Sequence, residues 1–152
     1  MIETSLIGYS RGTPGSKTFQ ATNPTTGENL ITEYCSASQE EVGRACELAK
    51  LASLSMNALS GRDKAKFLCS LADRIDRSIE DIVVIMTAET GLPEARVRAE
   101  AGRTRSQLLM FANLLEEGSW VDARIDRALP DRKPVPKPDL RAMLRPIGPV
   151  AV

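Results

Sequence analysis

Three thiols, at Cys35, Cys46 and Cys69, are the obvious candidates for nucleophilic chemistry, and no histidine accompanies them. That absence removes Ser-His-Asp and Cys-His catalysis from this chain, together with the commonest nitrogen ligand for a metal. The cysteines are too widely spaced for a C-x-x-C zinc or redox pair. Each also lacks the neighbouring base or helix N-terminus that would lower a thiol pKa. Cys46 and Cys69 fall on apolar helical stripes and Cys35 at a strand end, so all three are expected to be reduced and structural. Ser10-Arg11-Gly12-Thr13-Pro14-Gly15-Ser16-Lys17-Thr18 briefly suggests a phosphate loop. It fails because Ser16 separates Gly15 from Lys17 and no apolar strand precedes it.

Arg103 and Gln107 are harder to dismiss. Four residues apart, they lie on one side of a helix, where a guanidinium and an amide can together hold a carboxylate. The bland alternative pairs Arg103 with Glu100 or Glu89. The other acids, Glu94, Glu116 and Glu117, are mostly spaced from Arg96, Arg98 and Arg105 as solvated helix-surface partners would be. No catalytic, metal or cofactor ligand is assigned.

The elements that must hold these residues follow from pattern. Residues 1–18 form a polar N-terminal segment, and 19–37 a β-hairpin in which Phe19–Ala21 and Leu30–Cys35 flank the turn Asn23-Pro24-Thr25-Thr26-Gly27. Over 38–118 the period is helical. Ser38 with Glu41 forms a capping box at the first helix, whose stripe is Val42, Ala45, Cys46, Ala49 and Ala52. A second helix begins near Ser60 and aligns Ala65, Leu68, Leu71, Ala72 and Ile75. A third begins at Ser78 with Asp81 repeating the cap signal, and stops at Gly91. Pro93 opens a fourth that runs to Gly118, roughly 35 Å at 1.5 Å per residue. From 119 to 152 the prolines forbid helix and leave an extended arm, with strands expected over Leu140–Leu144 and Ile147–Val152. The apolar ending suggests a strand entering a sheet and a truncated chain. The expected fold class is α+β in this segment: an N-terminal hairpin, four helices and C-terminal strands.

Twenty basic and twenty acidic residues cancel in a chain of 152 that is 42% apolar. Such a balance gives no electrostatic footprint for nucleic acid or an anionic membrane. No uninterrupted apolar run approaches membrane-spanning length, and Met1 to Ser10 has Glu3 where a signal peptide wants a basic region and no apolar stretch after it, so a soluble cytoplasmic protein is expected.

Asn23-Pro24-Thr25-Thr26-Gly27-Glu28, Glu89-Thr90-Gly91 and Arg145-Pro146-Ile147-Gly148-Pro149-Val150-Ala151-Val152 occur in an order that resembles the aldehyde dehydrogenase superfamily. Glu94-Ala95-Arg96, Gly102-Arg103-Thr104, Gln107-Leu108, Phe111-Ala112, Ala128-Leu129-Pro130-Asp131-Arg132 and Pro138-Asp139-Leu140-Arg141 are similar to its α-ketoglutaric semialdehyde (2,5-dioxopentanoate) and bacterial fatty-aldehyde branch. The resemblance implies part of an α/β enzyme using NAD or NADP on an aldehyde, acting as a homo-oligomer. It makes 38–118 the helical layer of a cofactor domain and places Arg103 and Gln107 at the substrate entrance. It also implies that the nucleophilic Cys, the general-base Glu and the Gly-rich cofactor segment have no matching positions here. The chain alone is then expected to bind no cofactor and to be inactive. The rival reading is a freestanding helical interaction module derived from the same family.

Overall fold

The structure, a computed structural model, describes residues 2–15 and 17–152. Met1 of the N-terminal segment and Ser16 of the rejected phosphate loop lie outside them. Three short strands come first: β1 (Ile2–Glu3), β2 (Leu6–Ile7) and β3 (Ser10–Arg11). β2 and β3 pair antiparallel. β4 (Thr18–Thr22) and β5 (Asn29–Cys35) form the expected hairpin, with Phe19 opposite Tyr34, and β1 adds to β5 in parallel. The polar composition that hid β1 to β3 reflects their exposure, since only Ile7 among them is buried. At the turn Gly27 takes φ 74. Its N–H reaches Asn23 O at 2.8 Å, and Asn23 Oδ1 accepts from Thr25 N at 2.9 Å.

Four helices follow: α1 (Gln39–Ala58), α2 (Gly61–Arg77), α3 (Ile79–Thr90) and α4 (Glu94–Glu117). The capping box at α1 forms as predicted, Ser38 accepting from Glu41 N at 3.2 Å while Glu41 accepts from Ser38 N at 2.9 Å. Ser60 caps α2 by accepting from Asp63 N. Gly91 and Gly118 end α3 and α4 with left-handed φ of 67 and 83. Ser78 departs from expectation, for its side chain caps nothing. It is also the C-cap of α2, its N–H held by Arg74 O and Ile75 O, and a ψ of 9 leaves its backbone outside the extended region that an N-cap side chain needs.

α2 and α4 run antiparallel and hold most of the core. Val97 and Ala72 are fully buried, with Ala65 and Ala112 beside them. These residues are small because the backbones come very close: a Cβ built on Gly61 would overlap the carbonyl oxygen of Leu115. The stripe of α1 is a correction. No residue of α1 is buried and Cys46 is exposed; Ala49 and Ala52 of the stripe only line a groove that they share with Lys64 of α2 and Leu115 of α4.

After α4 a 3-10 turn, Ser119–Val121, leads to β6 (Arg124–Asp126), which pairs antiparallel with β7 (Leu140–Ala142). β6 had no clear sequence signal, being three exposed residues. The strand expected over Ile147–Val152 does not form. A strand exists only by pairing, and no described strand lies alongside it.

The crowding at Gly61 gives a direct test. Gly61→Ala should destabilise the chain by about 1–3 kcal/mol through overpacking against backbone. Gly102→Ala, inside α4 with open space around it, should instead stabilise by up to about 1 kcal/mol from helix propensity. Chemical denaturation of both variants would show the opposite signs; equal effects would refute the close approach.

Candidate functional site

The joint between the hairpin and the helices is where two of the singled-out motifs meet. Gly91 must be glycine for its left-handed φ, and a Cβ there would also stand 3.1 Å from Pro24 Cγ and 3.2 Å from Thr25 Oγ1. Beside it Tyr34 donates its hydroxyl to Glu89 Oε1 at 3.3 Å. Burial, then the charge and hydrogen bond of Glu89, push the Tyr34 phenol above its ordinary pKa. The turn of the hairpin thus sits on the stop of α3 and fixes the point from which α4 departs.

Along α4 the arginines divide by partner. Arg96 pairs with Glu100 at 2.6 Å, four residues on. Arg98 donates Nε to Glu94 at 2.7 Å and grips Glu80 of α3 with both terminal nitrogens, at 3.0 and 2.8 Å. Arg105 donates Nε to Asp76 of α2 at 2.5 Å. The spacing reading found the pairs within α4. It missed the cross-helix pairs because Asp76 and Glu80, four apart in sequence, lie on two different helices.

Arg103 and Gln107 are both exposed, and among the described residues neither makes an ion pair or a side-chain hydrogen bond. The bland partners are taken, Glu100 by Arg96 and Glu89 by Tyr34. Met110 and Leu114 continue the same side of the helix, 52% and 42% exposed. That face therefore offers a guanidinium, an amide and then apolar surface, a set able to receive a carboxylate carried on a short carbon chain.

The thiols offer no such arrangement. Cys35 is buried with its Sγ 3.9 Å from Gly15 O, and Cys69 is half-buried in a groove of about 400 Å³ beside Arg62, Lys66 and Arg74. Among the described residues no cluster of three or more acidic, thiol or imidazole groups could hold a metal. Phosphate does not fit the Gly-rich stretch near the N-terminus either. There Glu41 Oε1 already accepts from Thr13 N at 2.7 Å, and a Cβ on Gly12 would lie 2.7 Å from that carboxylate oxygen. A fixed anion occupies the place a phosphate would need.

The Arg98 clamp makes stability depend on acid. Its hydrogen bonds and charge hold Glu80 below the ordinary 4.5. A depressed carboxylate stabilises the fold above its unfolded pKa, and that contribution is lost as pH falls below 4.5 through the folded value. Arg98→Met should therefore be less stable than the parent at neutral pH, with the gap closing on acidification; a gap independent of pH would show that the clamp contributes nothing.

Comparison with known proteins bears on the whole chain. The model of the "Aldehyde dehydrogenase family" matches residues 12–152. Alpha-ketoglutaric semialdehyde dehydrogenase 2 of Azospirillum brasilense is 38% identical over 148 residues, 97% of this chain and 28% of the relative. An alpha-ketoglutaric semialdehyde dehydrogenase of Acinetobacter baylyi is 36% identical over 147 residues, with 97% and 28% covered. The chain thus spans little more than a quarter of the length of these relatives. The crystal structure of a NAD-dependent benzaldehyde dehydrogenase from Corynebacterium glutamicum superposes with a TM-score of 0.71 at 22% identity, covering 82% of this chain and 26% of that one.

Proposed function

The chain belongs to the aldehyde dehydrogenase family, and we propose that it supplies the N-terminal helical part of an NAD(P)-dependent enzyme oxidising α-ketoglutaric semialdehyde to the dicarboxylic acid. The observation that carries the substrate is the unengaged Arg103 with Gln107 on the outer face of α4, while Arg96, Arg98 and Arg105 all have acidic partners. The relatives' names support it. In this reading α4 lines the substrate entrance, Arg103 holds the terminal carboxylate by a charge-assisted hydrogen bond, and Gln107 donates a second.

Hydride transfer and the attacking thiolate belong, in this proposal, to other parts of a family-length enzyme. The Gly12–Thr13 stretch, where Glu41 already stands, is no phosphate cradle, and neither Cys46 nor Cys69 makes a side-chain hydrogen bond to a base among the described residues. Residues 38–118 then serve as the helical layer of the cofactor domain. The β6–β7 ribbon, with Ile125 and Leu140 exposed, serves as part of an oligomer contact. No described helix is long and apolar enough to cross a membrane, and we place the enzyme in the cytoplasm.

Two measurements test this. The 152-residue chain should form no reduced nicotinamide from any aldehyde above a no-protein control; turnover abolished by replacing one of its cysteines would overturn the division of labour. In a family-length enzyme carrying this segment, Arg103→Met should raise KM for α-ketoglutaric semialdehyde about ten- to a hundredfold, the scale of a charge-assisted hydrogen bond. A neutral aldehyde of similar length should be barely affected. Equal loss of kcat/KM on both would reject the substrate role.

A further inference from the structure

Arg105 stands midway in sequence between Arg103 and Gln107. At 3.6 residues per turn, each of the two lies about 160° around the helix from it, so the pair and Arg105 occupy opposite edges of α4. The Arg105 edge is a seam of charge. Arg98 and Glu116 follow the same edge, about two turns before and about three turns after. Arg98 holds Glu80 of α3, and Glu116 faces Arg62 of α2 at 4.0 Å. Arg105, in the middle, holds Asp76 of α2 through Nε at 2.5 Å.

The apolar contact beside this seam fixes distance better than rotation. Gly61, Ala65, Ala72 and Ala112 bring the two backbones together, and side chains so short interlock little, although Val97 is fully buried and Leu68, Ile75, Leu108 and Leu109 are half-buried on the same helices. Directional contacts at the edge of such a helix add to its restraint against turning about its own axis. We propose that Asp76, through its ion pair with Arg105, is a positioning residue that sets the rotation of α4 and thereby the direction in which Arg103 and Gln107 meet the substrate carboxylate. The inference rests on the entrance role given to Arg103 above. Asp76 does not touch substrate; it acts through the helix.

The test uses the family-length enzyme and sets Asp76→Asn beside Arg103→Met. Asp76→Asn should raise KM for α-ketoglutaric semialdehyde about two- to fivefold, the scale of one exposed ion pair. It should leave kcat, and KM for a neutral aldehyde, unchanged. Arg105→Gln, which breaks the pair from the other side, should give the same split. Exchanging the charges, Asp76→Arg with Arg105→Asp, should restore KM. If Arg103→Met is selective for the acidic substrate while the Asp76 and Arg105 variants are silent, the positioning role falls and the substrate role stands. Equal effects on both aldehydes, or a charge exchange that restores thermal stability without restoring KM, likewise overturn the positioning role. If Arg103→Met is itself unselective, both fall together.

Discussion

Gly61 lies against the backbone of Leu115 with no room for a methyl group between them, and the arrangement of the helices follows from that approach. Because the first turn of α2 touches the last turns of α4, the residues between must be small. Ala65, Ala72 and Ala112 are buried for that reason. Close backbones increase dispersion contacts along the crossing, and its shortest side chains do little to lock it. Polar groups at the edge add directional contacts: Arg98, Arg105 and Glu116 on α4, and Glu80, Asp76 and Arg62 on its neighbours.

The second fixed point is at the other end. Gly91 is constrained twice, by its left-handed φ and by Pro24 and Thr25 lying where a Cβ would be. A turn in the hairpin and a stop between helices, more than sixty residues apart, are therefore one structural joint. With the joint at its start and the Gly61 contact near its end, α4 is held at both ends as a 24-residue strut. A strut of that kind can present side chains from its free face without moving.

Charge along α4 serves two ends. Arginines facing α2 or α3, or an acid one turn away on α4 itself, are neutralised and hydrogen-bonded. Arg103, on the side away from Arg105, has no such partner among the described residues. The distinction gives the substrate reading its physical content, because a guanidinium already engaged by a carboxylate gains little from another. The same distinction makes rotation of the helix matter, since turning it would exchange satisfied and unsatisfied cations.

Local chemistry was legible in the sequence wherever a residue's role depends on its near neighbours in the chain. Ser38 with Glu41, Ser60, Gly27, Gly91 and Gly118 each mark a cap or a turn because the partner backbone groups lie within a few residues. The hairpin, the four helices and the family followed from those marks and from ordered motifs. Ser78 misled because a residue shared by two helices takes the backbone geometry of one and cannot cap the other. Other features depended on groups distant in sequence: the Gly61–Leu115 approach, the Asp76–Arg105 and Glu80–Arg98 pairs, the uncovered face of α1, the unpaired Ile147–Val152 run and the freedom of Arg103. Periodicity tells which residues share a face of one helix. Which face is covered, and by what, is settled only when a second element packs there, and that is a property of the tertiary structure alone.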